Sequence, residues 1–526
     1  MNLLTDQWIP VRPLPAGNPV KITLRQLLCE DDSWELSLPR NDMEMAALQL
    51  LICMAQVFFT PKDIQELKRR IISPLDPDTF DKGCAPYGEW FQLDHPDYPF
   101  MQVKDVYAKD ITPMDKLMAG LSGATSSCFV NEPGLGSHLC GGCAAIALFN
   151  QASCAPSFGG GFKSNLRDGR WPGKDGKGGL SGSPVTTLVQ GENLRQTVWF
   201  NILSEEKVMA DLPWHRETQK QKPTWVDPIK TIAVIPAQTI GLLRGLFWQP
   251  AHIELLPPNE PSPCSCCGFS GQKVFRGFKR AKFRYTIQGL WPHPHGVRTT
   301  IFKNNVLEER FISFTTLAPA WTQLSRFVVQ IQTDDKTGGQ QPAAVIRQAQ
   351  GLVRGLRLNI GGYRNPSKLA DIRERRHELI FLNDGWSNHT NIIHDLVELA
   401  NGYGNALFNA LGVFIKGLKK TKKFTGAKGI KINLQEIAKG KFFRRSEDAV
   451  LHTLSCIDFE NPSSELLAMG EKLHQITANL FNESVHPYLN DPELVRTMAI
   501  ARKILNKNLK ALKPQHDGRN DNGSNT

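Results

Sequence analysis

The sequence predicts an α+β protein in which a large mixed α/β amino-terminal globular domain precedes a carboxy-terminal four-helix bundle. Short alternations of apolar and polar residues, typical of strands, occur in the first part of the chain. Beyond about residue 385, apolar residues instead recur at three-and-four spacing, which is typical of helices. The 526 residues exceed one ordinary hydrophobic core. We therefore expect domains over 1–385 and 386–513 and a disordered polar tail over 514–526.

The composition favours a folded protein with a polyanionic partner. Apolar residues make up 41% of the chain, which argues against wholesale disorder, a collagen or a low-complexity chain. There are 62 Lys and Arg residues against 51 acidic ones, a net charge of +11. No secretory signal is visible, and the 11 cysteines are an odd number, so we expect a reducing cytoplasm. The apolar stretch over 43–59 is too short and too interrupted for a membrane span and predicts a buried helix.

In the first part of the chain the pattern predicts strands over 8–11 and 20–24, then a helix capped by Asn41 or Asp42. A second helix is expected over 62–72, with Pro61 at its start. Further strands are expected over 184–189, 197–203 and 283–287.

Four helices are expected in the last part. The first carries an apolar face over 392–414, the second lies near 447–456, and the third follows Ser464. Asp491, Pro492 and Glu493 provide a cap, a first-turn proline and an acid at the positive end of the dipole of the fourth helix. This number of helices fits a bundle.

Two closely spaced cysteine pairs are the sharpest local signal: Cys140 with Cys143, and Cys264 with Cys267. Four thiolates at this spacing suit tetrahedral Zn²⁺, and an all-cysteine set implies a structural ion. We expect the glycines between Cys140 and Cys143 to let the knuckle turn. The alternatives are four ordinary thiols, or Cys266 in place of one ligand. His293 and His295 form a weaker metal candidate, and local packing or hydrogen bonding is the favoured interpretation.

Positive charge is concentrated in two segments. Residues 416–445 contain eleven Lys or Arg and one acid, and we favour nucleic-acid binding there over a solvated loop between helices. The predicted contacts are Lys416, Lys419, Lys420, Lys422 and Lys423. Residues 273–284 contain six basic residues interleaved with Phe275, Phe278 and Phe283, which fits either a nucleic-acid surface or a strand with one wet face.

The three glycines Gly159, Gly160 and Gly161 would let the main chain approach a ligand closely, although a flexible hinge explains them equally well. They match neither a Walker A loop nor the dinucleotide fingerprint. Catalytic motifs are scarce, so we expect no enzyme. The alternative function is a metal-dependent nuclease or phosphohydrolase that uses His394 and Asp395.

Ordered motifs over almost the whole length give the chain a resemblance to the large subunit of the type I-E CRISPR Cascade complex, the CasA family. They include the blocks 37–44, 129–134, 245–254, 289–295, 361–365 and 374–377, besides the cysteine pairs and the glycines. The resemblance implies a non-catalytic DNA reader that recognises the protospacer-adjacent motif (PAM) in double-stranded target DNA. It implies a role in R-loop formation and partnership with guide RNA, with the backbone, handle-binding and small subunits of Cascade, and with a nuclease-helicase, in antiviral defence.

The resemblance also assigns residues to the PAM. The glycine loop corresponds to Ser157, Gly159, Gly160 and Gly161, followed by Lys163, and the lysine finger corresponds to Lys282. A bare backbone and one long cation fit the minor groove, which is roughly 6 Å wide, so tolerance of several PAMs should follow.

Two further family elements are expected. The strand-separating wedge corresponds to Asn365, Pro366, Ser367 and Lys368, although the glutamine typical of the family is missing there. A proline-stiffened turn can still insert between base pairs. Phe129 and Asn131 resemble the loop that docks near the handle of the guide RNA. The insert over 168–182 is expected to be disordered.

Overall fold

The computed structural model describes residues 1–121, 134–159, 161–163, 165–167, 170–171, 183–231, 233–303, 305–334, 338–365, 372–420 and 433–512. The chain divides into two compact units. The amino-terminal unit contains Met1–Thr316 and Arg326–Leu379, and the carboxy-terminal unit contains Leu317–Ser325 and Ile380–Thr526.

Strands and helices are irregularly interspersed over residues 9–382. The strands are β1 (Ile9–Pro13), β2 (Val20–Ile22), β3 (Trp34–Leu36), β4 (Thr112–Pro113), β5 (Leu139–Cys140), β6 (Arg170–Trp171), β7 (Thr186–Val189), β8 (Ala233–Pro236), β9 (His252–Leu255), β10 (Asn259–Pro261), β11 (Lys273–Phe275), β12 (Gly277–Ala281), β13 (Tyr285–Gln288), β14 (Arg298–Lys303), β15 (Val306–Phe311), β16 (Ile331–Asp334), β17 (Gly338–Gln341), β18 (Leu356–Arg364) and β19 (Glu374–Leu382). The helices up to residue 349 are α1 (Leu24–Cys29), α2 (Asn41–Phe58), α3 (Ile64–Ile72), α4 (Pro77–Cys84), α5 (Gly141–Ser153), α6 (Leu194–Phe200), α7 (Glu205–Asp211), α8 (His215–Thr218), α9 (Leu242–Leu246), α10 (Leu324–Val328) and α11 (Ala344–Ala349).

The strands form several small sheets. Their orders are β2-β1-β3, β10-β11-β5, β4-β12-β9, β13-β8, β16-β17-β14-β15-β6 and β19-β18-β7. Strands β11 and β12 are consecutive in the chain but belong to two different sheets, β10-β11-β5 and β4-β12-β9. The mixed α+β class predicted from the sequence is confirmed.

Helix α2 is the centre of the amino-terminal core. From Met43 to Phe58 nearly every side chain is buried, as predicted for this apolar stretch. Its glutamines are buried with partners: Gln49 Nε2 lies 3.0 Å from His295 Nδ1, and Gln56 Nε2 donates to the Leu203 carbonyl. None of the helices within the described ranges is long and apolar enough to cross a membrane.

The helix expected over 62–72 is confirmed as α3, but it begins at Ile64, because the Asp63 side chain accepts hydrogen bonds from Gln65 N and Glu66 N and so caps it. The cap predicted for α2 is wrong: Asn41 and Asp42 lie inside the helix, and the residue before it, Arg40, makes no side-chain capping hydrogen bond. The strand expected over 197–203 is replaced by α6, which starts earlier. The Asn193 side chain accepts from Gln196 N and caps this helix. The cap outweighs the strand preference of the β-branched residues that follow.

The carboxy-terminal unit contains the four long helices α12 (Thr390–Leu418), α13 (Leu434–Cys456), α14 (Ser463–Val485) and α15 (Val495–Ala511). Helix α12 packs on the other three, and its predicted apolar face is buried, except that Ile392 and Leu399 are only half-buried. Two glycines permit close packing, since a Cβ at Gly404 would lie 2.8 Å from the Phe442 ring and one at Gly417 would lie 2.1 Å from Thr497. Helix α13 is longer than the predicted 447–456 segment.

Candidate metal centre and nucleic-acid interface

The four predicted cysteine ligands lie together in the amino-terminal unit. The Sγ atoms of Cys140, Cys143, Cys264 and Cys267 are all within 4.8 Å of one another. Cys140 ends β5 and precedes α5, and Cys143 lies in the first turn of that helix, where the positive end of the dipole favours a thiolate. Cys266 is buried but lies outside this group.

Pairing between the short strands β5 and β11 brings together two cysteine pairs that are more than 120 residues apart in sequence. Cys140 of β5 pairs with Val274 of β11. The Cys140 N–H points at Cys264 Sγ at 3.3 Å, and Ser265 N donates to the His138 carbonyl at 2.9 Å. After the second pair, Gly268 adopts φ +76° and donates to the Cys264 carbonyl, so glycine is needed there for the turn.

The glycines of the first pair have a different role from the predicted one. Gly141 and Gly142 begin helix α5 and do not form a turn. A Cβ at Gly142 would lie 2.6 Å from the Trp8 carbonyl oxygen, and one at Gly141 would lie 2.7 Å from Met1 Sδ. These glycines therefore allow the amino-terminal segment to pack against the start of α5.

A cation lies beside the sulfurs. Lys21 Nζ is 3.1 Å from Cys140 Sγ and 2.7 Å from Gln272 Oε1, and it lies 5.2 Å from the centre of the Phe269 ring. Burial alone would lower the pKa of Lys21, but the negative charge at Cys140 and Cys267 raises it above its ordinary value. Hydrogen bonds from the other three thiols lower the pKa of Cys140.

The donor set fits a tetrahedral thiophilic ion. Zn–S bonds of about 2.3 Å in a tetrahedron separate the sulfurs by roughly 3.8 Å, and Cys140 Sγ lies 3.7 Å from Cys267 Sγ. All four positions would be taken by protein sulfur, which leaves no site for a substrate. The cluster therefore has the chemistry of a structural metal centre.

Both predicted PAM elements begin at this cluster. Helix α5 leads into Ser157 and Gly159, whereas β11 and β12 lead to Lys282. The Ser157 hydroxyl accepts from Gly159 N at 3.2 Å, and Gly159 and Gly161 have φ of +77° and +87°. A Cβ at Gly161 would lie 3.6 Å from Lys282 Nζ. The glycine segment and the lysine, which are separated by 120 residues in sequence, thus meet in space.

Aromatic rings hold the basic strand against the glycine segment. The Arg280 guanidinium lies 4.6 Å from the centre of the Phe158 ring and 5.0 Å from that of Phe162. Lys163 Nζ lies 5.6 Å from the centre of the Tyr285 ring. Burial lowers the pKa of Arg280. From the sequence, Arg280 was predicted only as part of a basic run. The alternation of Phe with basic residues over 275–284 is the signal that could have indicated its packing against aromatic rings.

Comparisons with known proteins identify the family of this chain. The family model for CRISPR-associated protein Cse1 matches residues 2–480. The chain belongs to the Cse1 family. Members of this family, also called CasA, are the large subunit of type I-E Cascade, so the resemblance inferred from the sequence is confirmed.

Solved structures of the family have the same fold at low sequence identity. Cse1 of Thermobifida fusca is 18% identical with a TM-score of 0.71, over 98% of this chain and 99% of that chain. CasA (Cse1) of Thermus thermophilus is 16% identical with a TM-score of 0.67, over 97% and 99%. A chain of a CRISPR RNA-guided surveillance complex is 14% identical with a TM-score of 0.63, over 96% and 99%.

The hairpin expected to carry the wedge is formed by β18 and β19, whose arms stay paired up to Arg364 and Arg373. Asn365 is only 6% exposed, and its N–H donates to the Phe314 carbonyl, so it is packed into the fold at the point where β18 enters the loop. Pro366, Ser367 and Lys368 lie outside the described residues, as do Phe129, Asn131, Gly160 and the tail from residue 513. The insert over 168–182 is described only at Arg170 and Trp171, and the expected disorder is wrong there, because these two residues form β6 and pair with β15.

The predicted lysines of the second basic segment are partly described. Lys416, Lys419 and Lys420 are exposed at the carboxyl end of α12, where cations complement the helix dipole. Lys422 and Lys423 lie outside the described residues. Farther along the segment, Lys441 and Arg445 pair with Glu483. Their charge is therefore partly neutralised within the bundle.

The alternative catalytic residues are not assembled into a site. The His394 ring Nδ1 lies 2.9 Å from the Ser325 hydroxyl, and Asp395 is exposed on α12. Among the described residues, neither belongs to a cluster of three or more metal-ligating side chains. His293 and His295 are buried, and the His295 N–H donates to His293 Nδ1, the local bonding that was predicted. His295 Nδ1 also lies 3.0 Å from Gln49 Nε2 of α2, and burial lowers the pKa of His295 to about 3.

Proposed function

We propose that this chain reads the PAM in double-stranded target DNA as the large subunit of Cascade, and that it has no catalytic role of its own. Residues 1–385 would form the reading domain and 386–513 the bundle. In this proposal the chain works with guide RNA and the backbone, handle-binding and small subunits in the cytoplasm. It starts strand separation, and it helps to recruit the nuclease-helicase.

The observation that carries the proposal is the contact between the glycine segment and Lys282. Gly161 is exposed and has no side chain, and the Lys282 ammonium lies within van der Waals reach of its Cβ position. A minor groove roughly 6 Å wide admits an extended lysine and a bare backbone but excludes bulkier elements. Neighbouring Arg280 packs against the rings of Phe158 and Phe162 and adds to the same positive surface.

Zinc is the proposed ion at the cysteine cluster, with a structural role. Cys140, Cys143, Cys264 and Cys267 would hold it, and it would supply a rigid cross-link. Helix α5 leads from the cluster to the glycine segment, and β11 and β12 lead from it to Lys282. Bracing both arms at one point keeps a flexible, glycine-rich backbone at a fixed distance from the cation.

The lysines at the end of α12 are proposed to contact the displaced strand. Lys416, Lys419 and Lys420 are exposed, and the sequence continues with Lys422 and Lys423. Such a cluster binds phosphates without reading bases, which suits a strand of arbitrary sequence.

The proposal is tested by target capture with reconstituted Cascade that carries Lys282→Ala. We expect affinity for a target with a functional PAM to fall about tenfold or more, and discrimination against a wrong PAM to shrink. Lys279→Ala is the matched control, because it removes the same charge three residues away but Lys279 Nζ lies 3.6 Å from Glu254. It should change capture by no more than about twofold.

Gly161→Ala independently tests the proposed contact of the bare main chain of the glycine segment with the minor groove. With φ at +87°, an alanine costs roughly 1–2 kcal/mol in this conformation. Assembly with guide RNA should survive in Lys282→Ala and in Gly161→Ala. Equal losses in Lys282→Ala and Lys279→Ala, irrespective of the PAM, would mean that charge alone is being measured and would contradict the proposal.

A further inference from the structure

We infer that Lys21 is a positioning and charge-compensating residue of the metal centre, an inference that rests on the proposed zinc ion. Its ammonium is 3.1 Å from Cys140 Sγ, a distance at which an N–H donates directly to a thiolate. The ammonium also contacts Gln272 Oε1 at 2.7 Å and the Phe269 ring, and these contacts hold it beside Cys140 Sγ.

The need for this charge follows from the ligand set. Four thiolates around a divalent ion carry a net charge of about −2 in a largely buried position. Cys140, Cys143 and Cys264 are buried, so water screens that charge poorly. One ammonium in contact with a sulfur reduces it to about −1. It also withdraws electron density from the sulfur and makes it less reactive toward electrophiles.

Lys21 reaches the cluster from an element that is otherwise remote from it in sequence. It lies on β2, opposite Pro10 of β1. The residue before β1, Trp8, packs its carbonyl against Gly142, so the amino-terminal sheet contacts the first cysteine pair at two points. Metal retention and the docking of this sheet should therefore depend on each other.

The test uses the full chain loaded with Zn²⁺ and a competing chelator. Lys21→Met keeps an unbranched side chain, one heavy atom shorter, and removes the charge. We expect its zinc affinity to fall about 10–100-fold, the usual range for loss of an outer-shell partner. Lys21→Arg should recover most of the affinity. Lys273→Met is the matched control, because Lys273 is exposed on β11, next to Gln272, and it should stay within about twofold of the wild type.

A second measurement separates a local role from misfolding. In folded, zinc-loaded Lys21→Met, confirmed by circular dichroism and metal analysis, iodoacetamide should alkylate the cluster cysteines several-fold faster than in the wild type. Equal zinc affinity and equal alkylation rates in Lys21→Met and wild type would overturn the inference about Lys21 but leave the zinc proposal standing. A wild-type chain that binds no Zn²⁺ would overturn both.

Discussion

A buried hydrogen-bond network near the loop end of the predicted wedge hairpin gives the most quantitative prediction. Tyr363 of β18 is 1% exposed. Its hydroxyl donates to Asp42 Oδ2 at 2.8 Å and accepts from Asn150 Nδ2 at 2.7 Å. Asp42 is also bonded by the Arg40 guanidinium, with Nε to Oδ1 at 2.9 Å. The network joins the hairpin to α2 and to α5, the helix that precedes the glycine segment.

Tyr363→Phe should destabilise the amino-terminal unit by about 2–6 kcal/mol. The change removes a hydrogen bond to a charged carboxylate, and it leaves the buried Asn150 amide without an acceptor, at about 1–3 kcal/mol for each loss. Native-state hydrogen exchange of α5 peptides measures this loss as a fall in the opening free energy. Tyr403→Phe is the control, because Tyr403 is also 1% exposed but its hydroxyl has no hydrogen bond to the described residues.

The effect has a defined pH dependence. Burial alone would raise the pKa of Asp42, but Arg40 and the Tyr363 hydroxyl lower it below its ordinary 3.8. The carboxylate therefore contributes its full stabilisation above about pH 4, and the contribution is lost as the pH falls through the lowered value. The difference between wild type and Tyr363→Phe should shrink at acid pH. An opening free energy of α5 that falls no more in Tyr363→Phe than in Tyr403→Phe would refute this reasoning.

Four further outcomes are expected. Gly142→Ala should destabilise the amino-terminal unit by about 1–3 kcal/mol in thermal or urea unfolding, because its Cβ would lie 2.6 Å from the Trp8 carbonyl oxygen. Gly440→Ala, with nothing within 4 Å of its Cβ, should instead stabilise α13 by up to about 1 kcal/mol. Charge reversal to Glu at Lys416, Lys419 and Lys420 should make the salt dependence of single-stranded DNA binding shallower, reducing the magnitude of the slope of log affinity against log salt by about 2. The same change at Lys503, Lys507 and Lys510 should leave that slope unchanged. Removing the metal, with its loss confirmed, should weaken PAM discrimination before hydrogen exchange in the bundle changes; unchanged PAM affinity would contradict the bracing role.

The spacing made the four cysteine ligands predictable as one site, whereas the strand pairing that brings the two pairs together was not predictable. Spacing alone indicates that Cys140 and Cys143 form a metal-binding pair, since few other roles need two thiols three residues apart. The contact between the two pairs depends on β5 and β11, which are two and three residues long, too short to produce a periodic signal.

The errors have a related cause. The segment around Thr197 and Val198 has strand-forming residues, yet Asn193 starts a helix there, and burial of α6 against the core completes it. The glycines beside Cys140 were attributed to a turn, because packing against Met1 and Trp8 involves residues more than 130 positions away. The four bundle helices were predictable, since their periodicity extends over many turns.

Target capture against a library of flanking motifs, with reconstituted Cascade that contains this chain, tests the central claim most directly. We expect wild-type complexes to bind a restricted but degenerate set of motifs. In Lys282→Ala complexes the differences in affinity between motifs should become smaller while guide RNA remains bound. Capture that is equally tight whatever sequence flanks the protospacer would contradict the central claim.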